Sequence, residues 1–589
     1  MLFFFVIYLL VLDMFLIYPK LQFTKKRKKN PMGNCIPSLN KEIKSLPNDA
    51  IFKLPSPLPN WPPGTGDFGS GYIDLGGLKV CQIVTFNKVW VIDKGGPDNL
   101  GATFYEPSPI PDGFSMFGCY CQPNNKPLFG WVLVGKDNVG EILKNPIDYT
   151  LVWSSESSKF KNKNSNDHGY IWLPIPPEGY KALGHVVTTL PEKPALDKIQ
   201  CVRSDLTDEL EVESWVWGQG TTSKVNGINV HSVRPQERGV KAQGVSVGTF
   251  LARITSDKDD DSNKTLSLAC LKNNKFSTFS SMPNLSQIQA LFEQYSPIIY
   301  FHPKEKYLPS SVNWYFANGA LLYQKSQESN PSPIEPNGSN LPQDGPNDGA
   351  YWLDLPIDEK NKEKAIKGDL LNSEVYLHIK PMLGATFTDI AVWIFYPFNG
   401  PGTAKLGLVD VPFGKIGEHV GDWEHVTLRI SNFNGVLHKV YFSQHSGGTW
   451  LDAPQVEFQN GSNKVVVYSS LNGHAVYPKP GLVLQGGGDI GIRNDTAKSN
   501  LVLDCGKNYS IIAAENLEII VPAWLNYTRE WGPKLSYTLG DEVEKIESSL
   551  KGNLKGAFEK LVKVLPNEVY GEEGPTGPKM KGNWNRDEV

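Results

Sequence analysis

Hydrophobic and polar positions alternate through much of this chain, most clearly in Asp422-Trp423-Glu424-His425-Val426-Thr427-Leu428-Arg429-Ile430. A period of two puts Asp422, Glu424, Val426, Leu428 and Ile430 on one strand face and Trp423, His425, Thr427 and Arg429 on the other. Further upstream, aromatic strands are followed by returns framed Gly-x-x-x-x-Gly, at Gly113 and Gly118, Gly179 and Gly184, and Gly239 and Gly244. Trp90, Trp153 and either Trp215 or Trp217 precede these frames at similar distances, which predicts three related sheets in a β-prism-like domain over 60–270. Leu285, Ile288, Leu291, Phe292 and Tyr295 recur at helical spacing behind Asn284, a favoured N-cap, so a short helix is expected there as a hinge. Strands then alternate with turns, apart from a long polar loop over 328–349, and predict a β-sandwich spanning 284–530. Val543, Ile546, Leu550, Leu554, Phe558, Leu561 and Leu565 predict one long helix, stopped by Pro566 and packed on the sandwich, within a final segment 531–589. The fold class is mainly β: an N-terminal β-prism-like three-repeat domain, a C-terminal β-sandwich and a C-terminal helix.

Charge and cysteines narrow the function classes. The 589 residues carry a net charge of −4, with basic residues scattered beyond one N-terminal cluster, which argues against a nucleic-acid partner. Seven cysteines stand far apart without zinc-pair spacing, which suits a reducing compartment. Residues 2–18 are apolar apart from Asp13 and precede a basic run at 25–29, the reverse of a cleavable signal peptide. Inserted as a transmembrane helix, the run would leave the body on the cytosolic side. Alternatively, initiation at Met32 would present Gly33 for myristoylation and Cys35 for palmitoylation, a two-chain anchor. Both readings make 1–40 a membrane-targeting segment and place the body on the cytosolic face of a membrane.

The chemistry concentrates where the alternating strand begins. Asp422 and Glu424 lead straight into core positions, and two like charges there need a cation or donors to answer them. His419, one glycine-containing turn upstream, can supply a third arm. The alternative is that Arg429, Arg493 or Arg529 pairs with the carboxylates and His419 caps the turn. Five of the ten histidines lie between 419 and 474. Of these, His425, His445 and His474 are candidates for a supporting shell.

His-x-x-Asp-Trp-Glu resembles the Gly-His-Arg-His-Asp-Trp-Glu signature of the necrosis- and ethylene-inducing-like proteins, secreted cytolysins whose His, Asp and Glu, with an earlier Asp, hold a divalent cation. The resemblance implies His419, Asp422 and Glu424 as ligands, with Asp410 as the earlier acid, and Gly421 departs from it where that family has a second His. Oxygen donors with one imidazole suit Ca²⁺, Mg²⁺ or Mn²⁺. A broader resemblance runs from about Asn60 onward to the plant and fungal family named for vacuolar protein sorting-associated protein 62. It is carried by HVGDWEHVTLRI, VYFSQHSGGTW, GHAVYP, GIRNDTAKS and GEEGPTGPK. The expected function is a non-enzymatic, membrane-associated protein, tied to vacuolar sorting by that family's name, binding lipid headgroups or glycans with a divalent cation. The runner-up is a metal-dependent hydrolase of a lipid or sugar, with His445 or a carboxylate as base.

Overall fold

The computed structural model of the chain describes residues 46–156, 168–219, 227–255, 267–445, 447–487, 489–534, 538–563 and 574–588. The apolar run 2–18, Gly33 and Cys35 lie outside them. Among the described residues, no helix is long and apolar enough to cross a membrane. The described cysteines are free and buried.

Three of the sheets in the N-terminal half, each of three strands, surround one core. They join Phe86–Ile92, Ala102–Pro107 and Tyr120–Pro123; Asp148–Ser154, Tyr170–Ile175 and Val186–Thr188; and Leu210–Gly218, Gly227–Pro235 and Phe250–Thr255. In each first strand the register slips just before a tryptophan, so that Val89, Val152 and Val216 are the extra residues of three bulges. A bulge adds local twist and re-aims the next side chain. Trp90, Trp153 and Trp217 consequently turn inward and meet with ring centroids 5.7, 6.0 and 5.3 Å apart. Trp217 is thus the third member, and Trp215 lies partly exposed. Gly118 and Gly184 approach so closely that a Cβ on Gly118 would stand 2.8 Å from the Gly184 Cα. In the third repeat the approaching residue is Thr249, beyond the Gly239–Gly244 frame expected from the sequence; a Cβ on Gly184 would meet its Cγ2 at 2.7 Å.

The C-terminal half is a sandwich. Its larger sheet has six strands in the order Gly447–Asp452, Leu437–Gln444, His419–Ser431, Phe387–Asn399, Val375–Met382 and Tyr509–Ala514. Val426, Leu428 and Ile430 face inward against Ile299, Val467 and Leu503 of the opposing four-stranded sheet, which confirms the strand phase. Trp423 and Trp393 lie on the outer face, packed with Trp524, Trp531 and Trp584. Asn284 caps Leu285–Tyr295 through a capping box with Gln287. Ile288, Leu291, Phe292 and Tyr295 of that helix are buried in the sandwich core.

The long C-terminal helix divides. Leu539–Ser549 and Asn553–Val562 are separated at Gly552, whose φ of +60° is left-handed. Both pack on a smaller sheet of Val409–Pro412, Thr403–Leu406, Ile490–Thr496 and Gly481–Gly487, burying Ile546, Phe558 and Leu561 against Leu406, Phe413 and Ile492.

Candidate functional site

The strand His419–Ser431 keeps its ladder to Phe387–Asn399 along its length, but Leu437–Gln444 pairs with it only from Val426 to Ile430. The departing strand opens a cleft of about 800 Å³ beside the first half of His419–Ser431, walled on the far side by Arg493, Asn494 and Asp495. Asp422 and Glu424 lie on its floor, 9% and 7% exposed. Gly421 makes this geometry possible. Its φ is +69°, and a Cβ there would stand 2.6 Å from the Trp531 carbonyl oxygen.

Each carboxylate is answered by a neutral or shared donor. Asp422 Oδ2 lies 3.0 Å from His474 Nδ1, while His474 Nε2 lies 2.9 Å from the Tyr307 carbonyl oxygen and the ring stacks 3.8 Å from that of Tyr396. A carbonyl only accepts, so Nε2 donates to Tyr307, and Nδ1 faces the Asp422 carboxylate across the other hydrogen bond. Burial works against the charge on Asp422, but His474, His419 and Lys581 outweigh it and hold its pKa below the usual carboxylate value. Glu424 accepts the Ser443 hydroxyl, whose oxygen in turn accepts the His425 backbone N–H at 3.1 Å. His419 donates from Nδ1 to the Gly421 carbonyl at 2.8 Å, leaving the lone pair on Nε2. Burial lowers its pKa, against the pull of Asp422.

The cleft gathers His419, Asp422, Glu424 and His445, but Asp410 is elsewhere. It sits half exposed on the Val409–Pro412 strand and takes Arg493 Nη1 at 2.7 Å, with Asp495 filling the rest of the guanidinium at 2.8 and 2.6 Å. The hairpin that carries Asp410 forms one edge of the smaller sheet, pairing through Thr403–Leu406 with Ile490–Thr496, the strand that carries Arg493. Nor do the other two arginines answer the floor carboxylates as one alternative expected: Arg429 pairs with Asp389 and Asp587, and Arg529 donates to the Asp344 carbonyl. His425 points to the opposite face, 3.1 Å from Glu588 and stacked on Trp393. His445 lines the cleft with its Nε2 3.0 Å from Asn494 Oδ1. Among the described residues, no three His, Cys, Asp or Glu side chains stand grouped as a ready ligand set for a metal. Ser443, Lys581 and the direct bond from His474 leave no local pattern that marks them as site groups, although Ser443 lies in VYFSQHSGGTW and His474 in GHAVYP.

The family profile described as vacuolar protein sorting-associated protein 62 matches residues 48–588. No curated protein sequence matches the chain. Among solved structures, GNIP1Aa from Chromobacterium piscinae aligns at 21% identity and a TM-score of 0.28, over 38% of this chain and 41% of that one. The chain thus spans about two-fifths of the length of that protein. Necrosis and ethylene inducing protein 2 from the causal agent of cocoa's witches' broom disease aligns at 13% identity and a TM-score of 0.17, over 34% and 69%. NLPPya in complex with glucosamine gives 13% identity and 0.19, over 39% and 85%. Such TM-scores mark local likeness and assign neither ligand nor activity.

Proposed function

Because the chain belongs to the vacuolar protein sorting-associated protein 62 family, whose name ties it to vacuolar sorting, we propose that it serves there as a binding protein rather than an enzyme. Its cleft takes the polyhydroxylated headgroup of a lipid or glycan. The observation that carries this reading is the pair Asp422 and Glu424, side by side on one strand floor and open to a cleft large enough for a sugar-sized group. Carboxylates on the same side of a ligand can share its hydroxyls, whereas glycoside hydrolysis places two carboxyls across the bond to be cut. The residues fit a cation only in part: His419 presents Nε2 and both acids are close by, yet the ligand set is not closed by protein. A Ca²⁺, Mg²⁺ or Mn²⁺ ion held by His419, Asp422 and Glu424 would complete its shell with headgroup oxygens and water. Membrane attachment on the cytosolic face, through 1–40 or acylation at Gly33 and Cys35, brings the cleft to its ligand.

Calorimetry with each cation, followed by glycan arrays and lipid vesicles with and without chelator, tests this reading. Cation-dependent retention lost in Asp422→Asn and Glu424→Gln is the expected result. Absence of both cation heat and headgroup retention refutes it, and turnover of the bound lipid or sugar would replace it with the hydrolase reading.

A further inference from the structure

The outer face of the six-stranded sheet carries charge where a covered sheet face ordinarily carries hydrocarbon. His378 and Lys380 stand on Val375–Met382, Asp389 on Phe387–Asn399, and His425, Thr427 and Arg429 on His419–Ser431. Register brings them together, since Lys380 lies opposite Asp389, and Asp389 opposite Arg429. All six are buried. What covers them is the segment 574–588.

The contacts are those of a receptor with a ligand that presents two successive acids. Lys380 Nζ donates to the Asn583 and Arg586 carbonyls, each at 2.7 Å. Arg429 holds Asp389 through two bonds of 2.9 and 2.8 Å and reaches Asp587 at 2.5 Å, while Arg238 of the N-terminal half grips Asp587 from the other side at 3.1 Å. Glu588 accepts from Thr427 at 2.6 Å and from Asn583 at 2.8 Å, with His425 Nε2 3.1 Å away. Trp584 stacks on His378, their ring centroids 3.9 Å apart. Lys380 and Arg429 set two positive charges beside one buried acid of the sheet, Asp389, and Arg238, which also pairs with Glu211 at 2.6 Å, adds a third beside Asp587.

Two features weaken this docking relative to an apolar cover. Buried ion pairs return much of their attraction as desolvation, so separating the partners into water restores most of what is lost. Beneath Trp584, moreover, both ring nitrogens of His378 are buried without a hydrogen-bond partner, a penalty present only while the segment is down. Lys581, Gly582, Asn583 and Glu588 also form one wall of the headgroup cleft.

We propose that Lys380, His425, Thr427, Arg429 and Arg238 form a recognition site for a tryptophan-bearing peptide with two successive acids, occupied in cis by residues 583–588 and exchangeable for such a segment of a partner protein. Exchange draws the flanking Lys581 and Gly582 away from the cleft wall, so partner binding and cleft access are coupled. This proposal does not depend on what the cleft binds.

The test uses a fluorescent peptide of residues 581–588 and anisotropy against three proteins: the full chain, a chain ending at Gly582, and full-length Trp584→Ala, which loosens the cis segment and keeps its charges. The shortened chain should bind the peptide at least tenfold more tightly than the full chain, with Trp584→Ala between them. A peptide with Asp587→Asn and Glu588→Gln should lose at least tenfold, and added salt should weaken the charged peptide more. A folded shortened chain that takes up no peptide overturns the proposal. So does loss of cooperative unfolding in both the shortened chain and Trp584→Ala, which would make the segment an integral part of the core.

Discussion

Asp422 and His474 are far apart in sequence, yet their side chains meet at 3.0 Å beneath the cleft, with the imidazole clamped between Tyr396 and the Tyr307 carbonyl. The carboxylate keeps its charge in a buried place because this histidine, with His419 and Lys581, answers it. Truncating His474 to Ala leaves Asp422 without its donor, and breaking a buried pair in this way costs about 3 kcal/mol or more. Urea denaturation should give that loss for His474→Ala, and a smaller one for the double variant His474→Ala/Asp422→Asn, in which no charge is stranded.

Gly421 stands where the cytolysin signature has a histidine. Restoring it as Gly421→His should not rebuild a cation site. The left-handed backbone and the Trp531 carbonyl, 2.6 Å from any Cβ, both oppose a side chain. We expect destabilisation of about 2 kcal/mol or more from the backbone strain and forced displacement together, read as a lower midpoint in thermal unfolding, with no gain in cation heat.

Deleting Val152 tests the bulges. Without the extra residue the ladder can close with Trp153 still opposite Ile171 and Leu151 opposite Trp172, but the added local twist that aims the indole is lost. Trp153 then leaves the indole cluster with Trp90 and Trp217. The expected readout is a red-shifted tryptophan emission and a lower unfolding midpoint, whereas Val152→Ala, which keeps the bulge, should show little of either.

Where the halves join, His438 is buried among Phe129, Trp131 and Phe387. Burial, in the main, pushes its pKa down to about 3. The unfolded chain takes up this proton near pH 6.5 and the folded chain does not, so between about pH 6.5 and 3 stability falls by roughly 1.4 kcal/mol per pH unit from this group alone. Below about pH 3 its contribution is flat. Replacing His438 by Phe should flatten that part of the stability profile, measured by denaturant unfolding at stepped pH.

Local patterns carried most of the fold. The phase of His419–Ser431 and the Asn284 cap follow from side-chain alternation and from one polar residue ahead of an apolar stripe, and both are decided within a few residues. Apolar spacing over 543–565 could not reveal the break at Gly552, because the stripe continues in phase through both helices. Asp410 was placed by analogy with a signature, whereas its position depends on which sheet its hairpin joins. His474 on Asp422 and the segment over Lys380 are long-range pairings that no window contains. One local signal does mark each bulge: the dipeptide Val-Trp at 89–90, 152–153 and 216–217.

The prism axis has room for one side chain. Gly118 and Gly184 supply none, and Thr249 fills the space, its hydroxyl donating to the Leu183 carbonyl at 2.5 Å. Three identical repeats would bring three identical residues to this point; three threonines would collide there, and three glycines would leave it empty. The domain is therefore obliged to be an imperfect trimer within one chain. A version rebuilt from a single consensus repeat would lose its fit first at the centre, however well each sheet copied its neighbours, unless one repeat kept the threonine and the other two the glycine.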